Sequence, residues 1–338
     1  MTALFKDNHI RFLIVANVAI IIIAALASQG LFLDSYNIKS MAKQLPELGL
    51  LAMGIMLAMI SGEGGIDLSV IGIANLAAII AGLTARTYFG GKEQGLSFML
   101  VFILVALAVG IIAGLINGLL ISRVGFTAIL ATLGTSLIFT GLAVALSGGP
   151  AVTLGYRIPF VEIGNGSFYN VPFSFMIFAV AAIVISYLLN RTAFGLRLYL
   201  MGSNAKAAHY TGINNKNILL ITYTLSGILA SMAGIIIASS ASSAKWDYGS
   251  SYLLVAILIA VMGGINPDGG HGRMVGLVLA GIAMQMMSSS LNLLGASVFL
   301  KNLMWGLLLL LSIVFTSSSV WQGFNIMSKR STSGGSSG

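Results

Sequence analysis

Acidic side chains are scarce in this 338-residue chain, and the informative ones lie in a glycine-rich run rather than in an enzyme motif. We expect Glu63 and Asp67, in the run SGEGGID at 61–67, to be the only acidic residues within or beside the apolar blocks. The sequence has no Walker loop, HExxH or Gly-x-Ser-x-Gly motif, and it has no cysteine. The three histidines are too scattered to form a metal site: His9, His209 and His271. We therefore predict that the chain is not an enzyme, and that it binds no metal or cofactor.

A few neutral polar residues inside the apolar blocks are the remaining candidates for chemistry. Hydroxyl and amide groups suit a wet path for a neutral polar solute, although hydrogen bonds between helices explain them equally well. Asp67 also has two interpretations, as a solute contact or as the N-cap of the helix that follows it, and we favour the cap. The candidate pathway residues are Asp67, Asn75, Asn117, Thr132 and Thr135.

Composition shows what must position these residues. Of all residues 57% are apolar and 8% are charged, against about 25% charged in soluble domains. The apolar residues form continuous blocks long enough for membrane helices, whereas barrel strands would alternate apolar and polar residues. We predict an all-α membrane protein with one transmembrane domain over 1–330; 331–338 (STSGGSSG) has the composition of an added linker. Ten segments are predicted: 12–33, 46–61, 68–85, 96–122, 126–147, 172–189, 218–239, 252–265, 274–294 and 298–317.

Two of these segments are short and run into glycine-rich breaks. The second and eighth have about 16 and 14 residues, fewer than the roughly 20 of a full crossing. Non-helical backbone at membrane depth occurs only where protein or a wet cavity shields it, so paired breaks indicate a pathway. The glycines that define the breaks are Gly64, Gly65, Gly263, Gly264, Gly269 and Gly270.

Charge predicts the orientation. Ten crossings place both termini on one side, and the positive-inside rule makes that side cytoplasmic. The basic residues of 190–217 carry most of this assignment, and the net charge of +8 indicates lipid headgroup contacts rather than nucleic acid. Carriers driven by ion gradients usually have ionisable residues in the membrane. Their scarcity here predicts that the energy source lies on another subunit.

The stretch 190–217 also predicts a short helix. Ser203 or Asn204 can cap a helix from Ala205 to about Thr211, and Gly212 can end it. Such a helix lying along the membrane is suited to dock a soluble partner. An amphipathic interfacial helix without a partner is the alternative at this point.

Four runs of the chain are to be read together. They are GGIDLS at 64–69; GLINGLLI at 114–121; TAFG at 192–195 followed by GSNAKAA at 202–208 and GIN at 212–214; and GGHGR at 269–273. Together they resemble the ribose-type ABC importer permeases, the carbohydrate-uptake group that includes ribose, galactose and autoinducer-2 permeases. The resemblance covers roughly 45–315, and the four runs occur in the same order as in the family.

The resemblance implies a permease subunit of a bacterial importer, multi-pass in the cytoplasmic (inner) membrane. It implies a second permease copy or a paralogue, a cytoplasmic ATP-binding subunit that carries ATP and Mg, and an extracytoplasmic solute-binding protein. The ATPase is expected to dock on 190–217, and the solute is expected to be a small sugar. The expected docking residues are Gly202, Ser203, Asn204, Ala205, Ala207, Ala208 and Gly212.

Two departures from the family pattern bear on the solute. The run 249–256 lacks the acidic residue that members often have there, and Glu63 is an additional acid in the first break. The run 242–249 is closer to autoinducer-2-type permeases, which favours a pentose-like or related polyol. The alternatives are a permease for nucleosides or branched-chain amino acids, or a gradient-driven carrier or channel without an ATPase.

Overall fold

The computed structural model describes residues 8–89 and 95–316, and these are almost wholly helical. The all-α class is confirmed. The helices are α1 Asn8–Ala27, α2 Ser35–Ile60, α3 Val70–Tyr88, α4 Gly95–Leu119, α5 Ala128–Ser147, α6 Ile158–Asn165, α7 Phe173–Arg191, α8 Ala193–Ser203, α9 Ala205–Tyr210, α10 Asn215–Ala241, α11 Tyr252–Met262, α12 Met274–Leu293 and α13 Val298–Thr316. A π-helical turn at Leu120–Val124 extends α4. The predicted linker at 331–338 lies outside the described residues.

Eight of the described helices are long and apolar enough to cross a membrane, namely α1–α5, α7, α10 and α12. The two other predicted segments, 252–265 and 298–317, correspond to α11 and α13, whose apolar described parts are shorter. The number of crossings and the side of each terminus therefore stay predictions.

Helix α2 lies at the centre of the bundle. Its second half is buried from Gly49 to Ile60, and it packs on α7, α10, α11 and α12. The prediction of a short second segment is wrong, because α2 has 26 residues and starts at Ser35. Its first half is too polar to form an apolar block, and the helix continues through Pro46. Packed neighbours allow a proline inside such a helix.

Helices α4 and α10 approach closely through glycines on both sides. Gly110, Gly114 and Gly118 of α4 face α10, and a Cβ added at Gly114 would lie 2.5 Å from the Tyr223 carbonyl oxygen. Gly227 of α10 faces Gly110 in return. The small-xxx-small spacing in α4 therefore serves packing within the chain.

The two glycine-rich breaks meet each other and the end of α8. We call this contact the glycine junction; its residues are Gly62, Gly202, Gly269 and Gly270. Gly270 N–H donates to the carbonyl oxygen of Ile60 at 3.1 Å, which joins the second break to the end of α2. A Cβ at Gly202 would overlap that same carbonyl and lie 2.6 Å from Gly270 N. Backbone thus packs directly on backbone, and no side chain fits between.

Short strands join loops at the opposite end of the bundle. β1 (Val152–Thr153) pairs antiparallel with β4 (Ser243–Ala244), and β2 (Ser167–Phe168) pairs antiparallel with β3 (Val171–Pro172). Between them, α6 packs Phe160 against Phe98 and Phe102 of α4, and the Arg157 guanidinium lies 4.5 Å from the centre of the Phe98 ring. This end is therefore built from loops that connect α5, α7, α10 and α11.

Candidate functional site

The first glycine break leads into a buried set of polar side chains, which we call the break cluster. Asp67 Oδ1 accepts from the backbone N–H of Ser69 at 3.0 Å and from its hydroxyl at 2.6 Å. Asp67 Oδ2 accepts from the Ser226 hydroxyl of α10 at 2.6 Å. Both carboxyl oxygens are thus bonded, and the bonds join the start of α3 to α10. The members of the cluster are Asp67, Ser69, Asn117, Thr132, Thr135 and Ser226.

The remaining members extend the cluster to α4 and α5. Asn117 donates from its side-chain amide to the Ser69 hydroxyl at 2.7 Å. The Thr135 hydroxyl donates to the side-chain Oδ1 of Asn117 at 2.6 Å. Thr132 accepts from the backbone N–H of Leu68 at 3.1 Å. Every member of the cluster is at most 3% exposed, so in this conformation the cluster is closed to solvent.

The structure thus brings together four of the five predicted pathway residues and separates the fifth. Asn75 lies apart and donates to the carbonyl oxygens of Trp246 and Tyr248 at 2.8 and 2.9 Å, which holds the loop between α10 and α11. The favoured cap at Asp67 is shifted in position. The N-cap of α3 is Ser69, and Asp67, three residues before the first helical residue, accepts from the backbone N–H of this N-cap. Solute contact by these five residues stays a prediction.

A second polar cluster was missed at the sequence level. The expectation that Glu63 and Asp67 are the only acids of the apolar blocks is wrong, because Glu47 lies within α2. Its Oε2 accepts from the Tyr252 hydroxyl of α11 at 3.3 Å. The spacing of polar residues before Glu47 could have revealed it. These residues form what we call the α2 polar stripe: Asn37, Ser40, Gln44 and Glu47.

Helix α12 supplies partners to the α2 polar stripe. Gln285 Nε2 donates to the side-chain Oε1 of Gln44 at 3.3 Å, and the Ser289 hydroxyl donates to the side-chain Oδ1 of Asn37 at 2.7 Å. Within the stripe, the Gln44 amide donates to the Ser40 hydroxyl at 2.9 Å. The stripe therefore lies in a polar seam between α2 and α12, with α11 contributing Tyr252 at Glu47.

The short helix predicted within 190–217 is present as α9. Asn204 caps it, since its Oδ1 accepts from the backbone N–H of Ala207 at 2.9 Å, and Gly212 follows its end with a φ of +84°. Asn215 at the start of α10 donates to the carbonyl oxygen of Ala205 at 2.8 Å. Local capping therefore defines α9, and α10 holds it in place.

The predicted docking residues do not all lie on an accessible surface. Ala208 is buried, 4% exposed, in the main hydrophobic core, and Gly202 packs within the glycine junction. These two support the loop from inside, so the expectation that they form its docking surface is wrong for this structure. Ala205 is half-buried, and the exposed residues of the predicted set are Ser203, Asn204, Ala207 and Gly212.

Comparison with known proteins agrees with this architecture. A family described as the permease component of the branched-chain amino acid transport system matches residues 37–313. The chain belongs to this family of ABC importer permeases. It is therefore a transport subunit and a multi-pass protein of the bacterial cytoplasmic membrane, and the resemblance to carbohydrate-uptake permeases is confirmed by its relatives.

Three curated relatives cover most of the permease. The ribose import permease protein RbsC of Bacillus subtilis (strain 168) is 35% identical over 284 residues, covering 84% of this chain and 85% of the relative. The D-allose transport system permease protein AlsC of Escherichia coli (strain K12) is 29% identical, covering 92% of each chain. The autoinducer 2 import system permease protein LsrD of Photorhabdus temperata is 32% identical, covering 81% of this chain and 80% of the relative.

A solved structure shares the fold. It is an inward-facing conformation of a protein assigned to the metal-chelate type of ABC transporter, with a TM-score of 0.54, 16% identity, and coverage of 90% of this chain and 98% of that one. At this identity the likeness concerns the fold alone.

Proposed function

We propose that this permease passes a small sugar or sugar-like solute into the cytoplasm. The observation that carries the proposal is the agreement of three relatives, named for ribose, D-allose and autoinducer 2, each over at least 81% of the chain. The polar side chains of the α2 polar stripe support it, because amides, hydroxyls and carboxyl groups can bond a polyhydroxylated molecule. A branched-chain amino acid, suggested by the family description, is the second candidate.

Transport is proposed to draw on ATP hydrolysis in a partner. The permease would pair with a second copy or a paralogue, and a cytoplasmic subunit would hold ATP and Mg. An extracytoplasmic solute-binding protein would deliver the solute. The test is uptake of radiolabelled D-ribose and D-allose by cells that express the full importer. We expect uptake that stops when the catalytic glutamate of the ATPase is changed to glutamine. Uptake of leucine instead of either sugar would contradict the sugar assignment.

We further propose that the exposed side of α9 docks the ATPase. Lys206 and Ala207 are exposed on this helix, and Arg191 and Lys216 flank the loop, which supports a cytoplasmic position. The end of α8 touches both glycine breaks at Gly202. Movement of a docked ATPase would therefore be transmitted through the backbone contacts of Gly202 to the end of α2 and to the glycine break that follows α11.

Ala207→Glu tests the docking site. Ala207 is exposed, so the substitution should leave the fold intact, but it would bury an unpaired charge in the interface, at a cost of several kcal/mol. We expect loss of the ATPase from pull-downs with tagged permease, and loss of uptake in the same cells. The matched control is Ala151→Glu, the same change at an exposed alanine in the loop after α5, at the other end of the bundle. Normal co-purification and uptake by Ala207→Glu would refute the assignment.

A further inference from the structure

The carboxyl group of Glu47 has an unusual environment for a membrane-spanning helix. Its hydrogen-bond partner is the hydroxyl group of Tyr252, and no Lys or Arg in the described parts of the chain forms an ion pair with it. An ionisable group inside a membrane is costly, and such residues usually face a cavity or serve a functional site. Glu47 therefore requires an explanation beyond packing.

The residues around Glu47 form one continuous face of α2. Asn37, Ser40, Gln44 and Glu47 occur at i, i+3, i+7 and i+10, which places them on the same side of a helix. Gly54 follows Glu47 by seven residues and shares this side. The α2 polar stripe thus continues toward the buried half of the helix.

This face also connects the two polar clusters. A Cβ added at Gly54 would lie 2.9 Å from the Ser226 hydroxyl, and Ser226 donates to Asp67 in the break cluster. Between the two clusters the face carries Leu51, which is fully buried. One side of α2 therefore has a polar part at each end and an apolar part between them.

The two clusters differ in their exposure on the surface of the chain. Gln44 is exposed and Glu47 is half-buried, whereas Asp67 is fully buried. A polar surface cavity of about 310 Å³ is lined by Ser40 of the stripe together with Lys39, Lys43 and loop residues before α7. The stripe therefore adjoins an open polar cavity at Ser40.

Two hydrogen bonds of the stripe, those at Glu47 and between Gln44 and Gln285, are long enough to be replaced. Tyr252 to Glu47 and Gln285 to Gln44 both measure 3.3 Å, beyond the 2.7–3.2 Å range of well-formed bonds. The carboxyl and amide groups also retain unused bonding capacity, because a carboxyl has two oxygens and an amide both donates and accepts.

We propose that the α2 polar stripe is a binding site for the transported solute, a neutral polyhydroxylated molecule of pentose or hexose size. The Glu47 carboxyl accepts hydrogen bonds from solute hydroxyls, and the side-chain amides of Gln44 and Gln285 both donate and accept. Tyr252 supplies a further hydroxyl at the α11 side. This inference rests on the proposed function, since it takes the solute to be a sugar.

The first test measures uptake of radiolabelled D-ribose and D-allose by the full importer. Removing the carboxyl group in Glu47→Ala should lower uptake by about tenfold, the loss of one or two hydrogen bonds to a charged group. Glu47→Gln keeps the shape and one acceptor, so its uptake should lie between those of Glu47→Ala and wild type. The control Glu162→Gln changes an exposed acid of α6. All variants are compared at equal membrane levels and equal co-purified ATPase.

The second test uses the absence of cysteine from the sequence, which makes any introduced thiol unique. In the full importer, Gln44→Cys should react with a membrane-impermeant thiol reagent, and sugar-loaded solute-binding protein should slow the reaction. Asp67→Cys should not react, because its position is fully buried.

The outcomes separate this inference from the proposed function. Wild-type sugar uptake that Glu47→Gln and Glu47→Ala leave unchanged would overturn the binding site while the sugar permease stands. If wild type takes up neither sugar, the sugar assignment fails. The thiol test then decides the site alone: an unreactive Gln44→Cys overturns it, and a reactive one supports a solvent-open polar site.

Discussion

The break cluster and the α2 polar stripe both contain a carboxyl group, but the two groups are held very differently. Asp67 is fully buried and accepts three bonds of 2.6–3.0 Å from Ser69 and Ser226. Glu47 is half-buried, and the hydrogen bond that it accepts from Tyr252 is 3.3 Å long. The difference indicates that one polar group fastens helices together, while the other has partners that a solute can replace.

The position of each cluster is consistent with this division. The break cluster lies beside the glycine junction, where α2, α8 and the second break meet through backbone. The α2 polar stripe lies in the other half of α2, next to a surface cavity. We therefore expect substitutions near the break cluster to affect folding, and substitutions in the stripe to affect transport.

The largest effect is expected at Gly202. In Gly202→Ala the added Cβ would overlap the Ile60 backbone carbonyl, so the cost should exceed the about 1–3 kcal/mol that is typical of overpacking. The detergent-solubilised variant should melt at a clearly lower temperature than wild type. Gly134→Ala is the matched control, because the Cβ at this helical glycine meets nothing within 4 Å. Equal melting of both variants would show that the junction is looser than described.

Next in size is the contrast between the two carboxyl groups. Asp67→Ala leaves the Ser69 amide and the Ser226 hydroxyl without their acceptor, which should cost about 3 kcal/mol in stability. Glu47→Ala removes a carboxyl group that has no ion-pair partner among residues 8–89 and 95–316, so its melting temperature should stay near that of wild type. Parallel thermal unfolding of the two variants measures this. If Glu47→Ala were the less stable of the two, the comparison between the clusters would be reversed.

A smaller effect is expected at the edge of the break cluster. Thr135→Val removes the bond to Asn117 at nearly constant volume and should cost about 1 kcal/mol, with Asn117 left short of a donor. Thr87→Val is the control, since Thr87 is exposed and bonds only its own helix, at the Leu83 carbonyl. Thermal unfolding again provides the measurement, and a larger loss at Thr87 would contradict the prediction.

The smallest effect is expected in the seam of the stripe. Ser289→Ala removes one bond to Asn37 and should cost about 0.6 kcal/mol, the average for interhelical bonds in membranes. Ser290→Ala, which loses only a bond to its own helix at Met286, serves as the control. A loss several times larger at Ser289 would mean that the stripe holds the fold as firmly as the break cluster does.

Features encoded by neighbouring residues were predictable from the sequence. The cap and stop residues of α9, Asn204 and Gly212, define the helix within a few positions. The glycine breaks were also recognised, because they interrupt apolar blocks. Such signals are local, and tertiary packing does not override them here.

Features that depend on distant contacts were not predictable in the same way. The polar first half of α2 does not form an apolar block, so the helix was expected to start at 46 instead of Ser35. Glu47 was not identified as part of a polar helix face, because the polar residues before it were not assigned to the helix. The interior position of Ala208 and the contact of Gly202 with the Ile60 carbonyl depend on elements far apart in the chain. A single sequence shows the small residues but not the surface each one meets.

The central position of α2 also constrains how the permease is made. Helix α2 is synthesised early, yet α10, α11 and α12, which surround it, come from the second half of the chain. During membrane insertion Glu47 and Gln44 must therefore contact lipid or other proteins until Tyr252, the partner of Glu47, and Gln285, the partner of Gln44, have been synthesised. The Ile60–Gly270 bond that closes the glycine junction forms later still in synthesis than the contacts with α10 and α11. The bundle is accordingly complete only after its last helices are made. A ribosome stalled before residue 270 would leave α2 without the Ile60–Gly270 hydrogen bond.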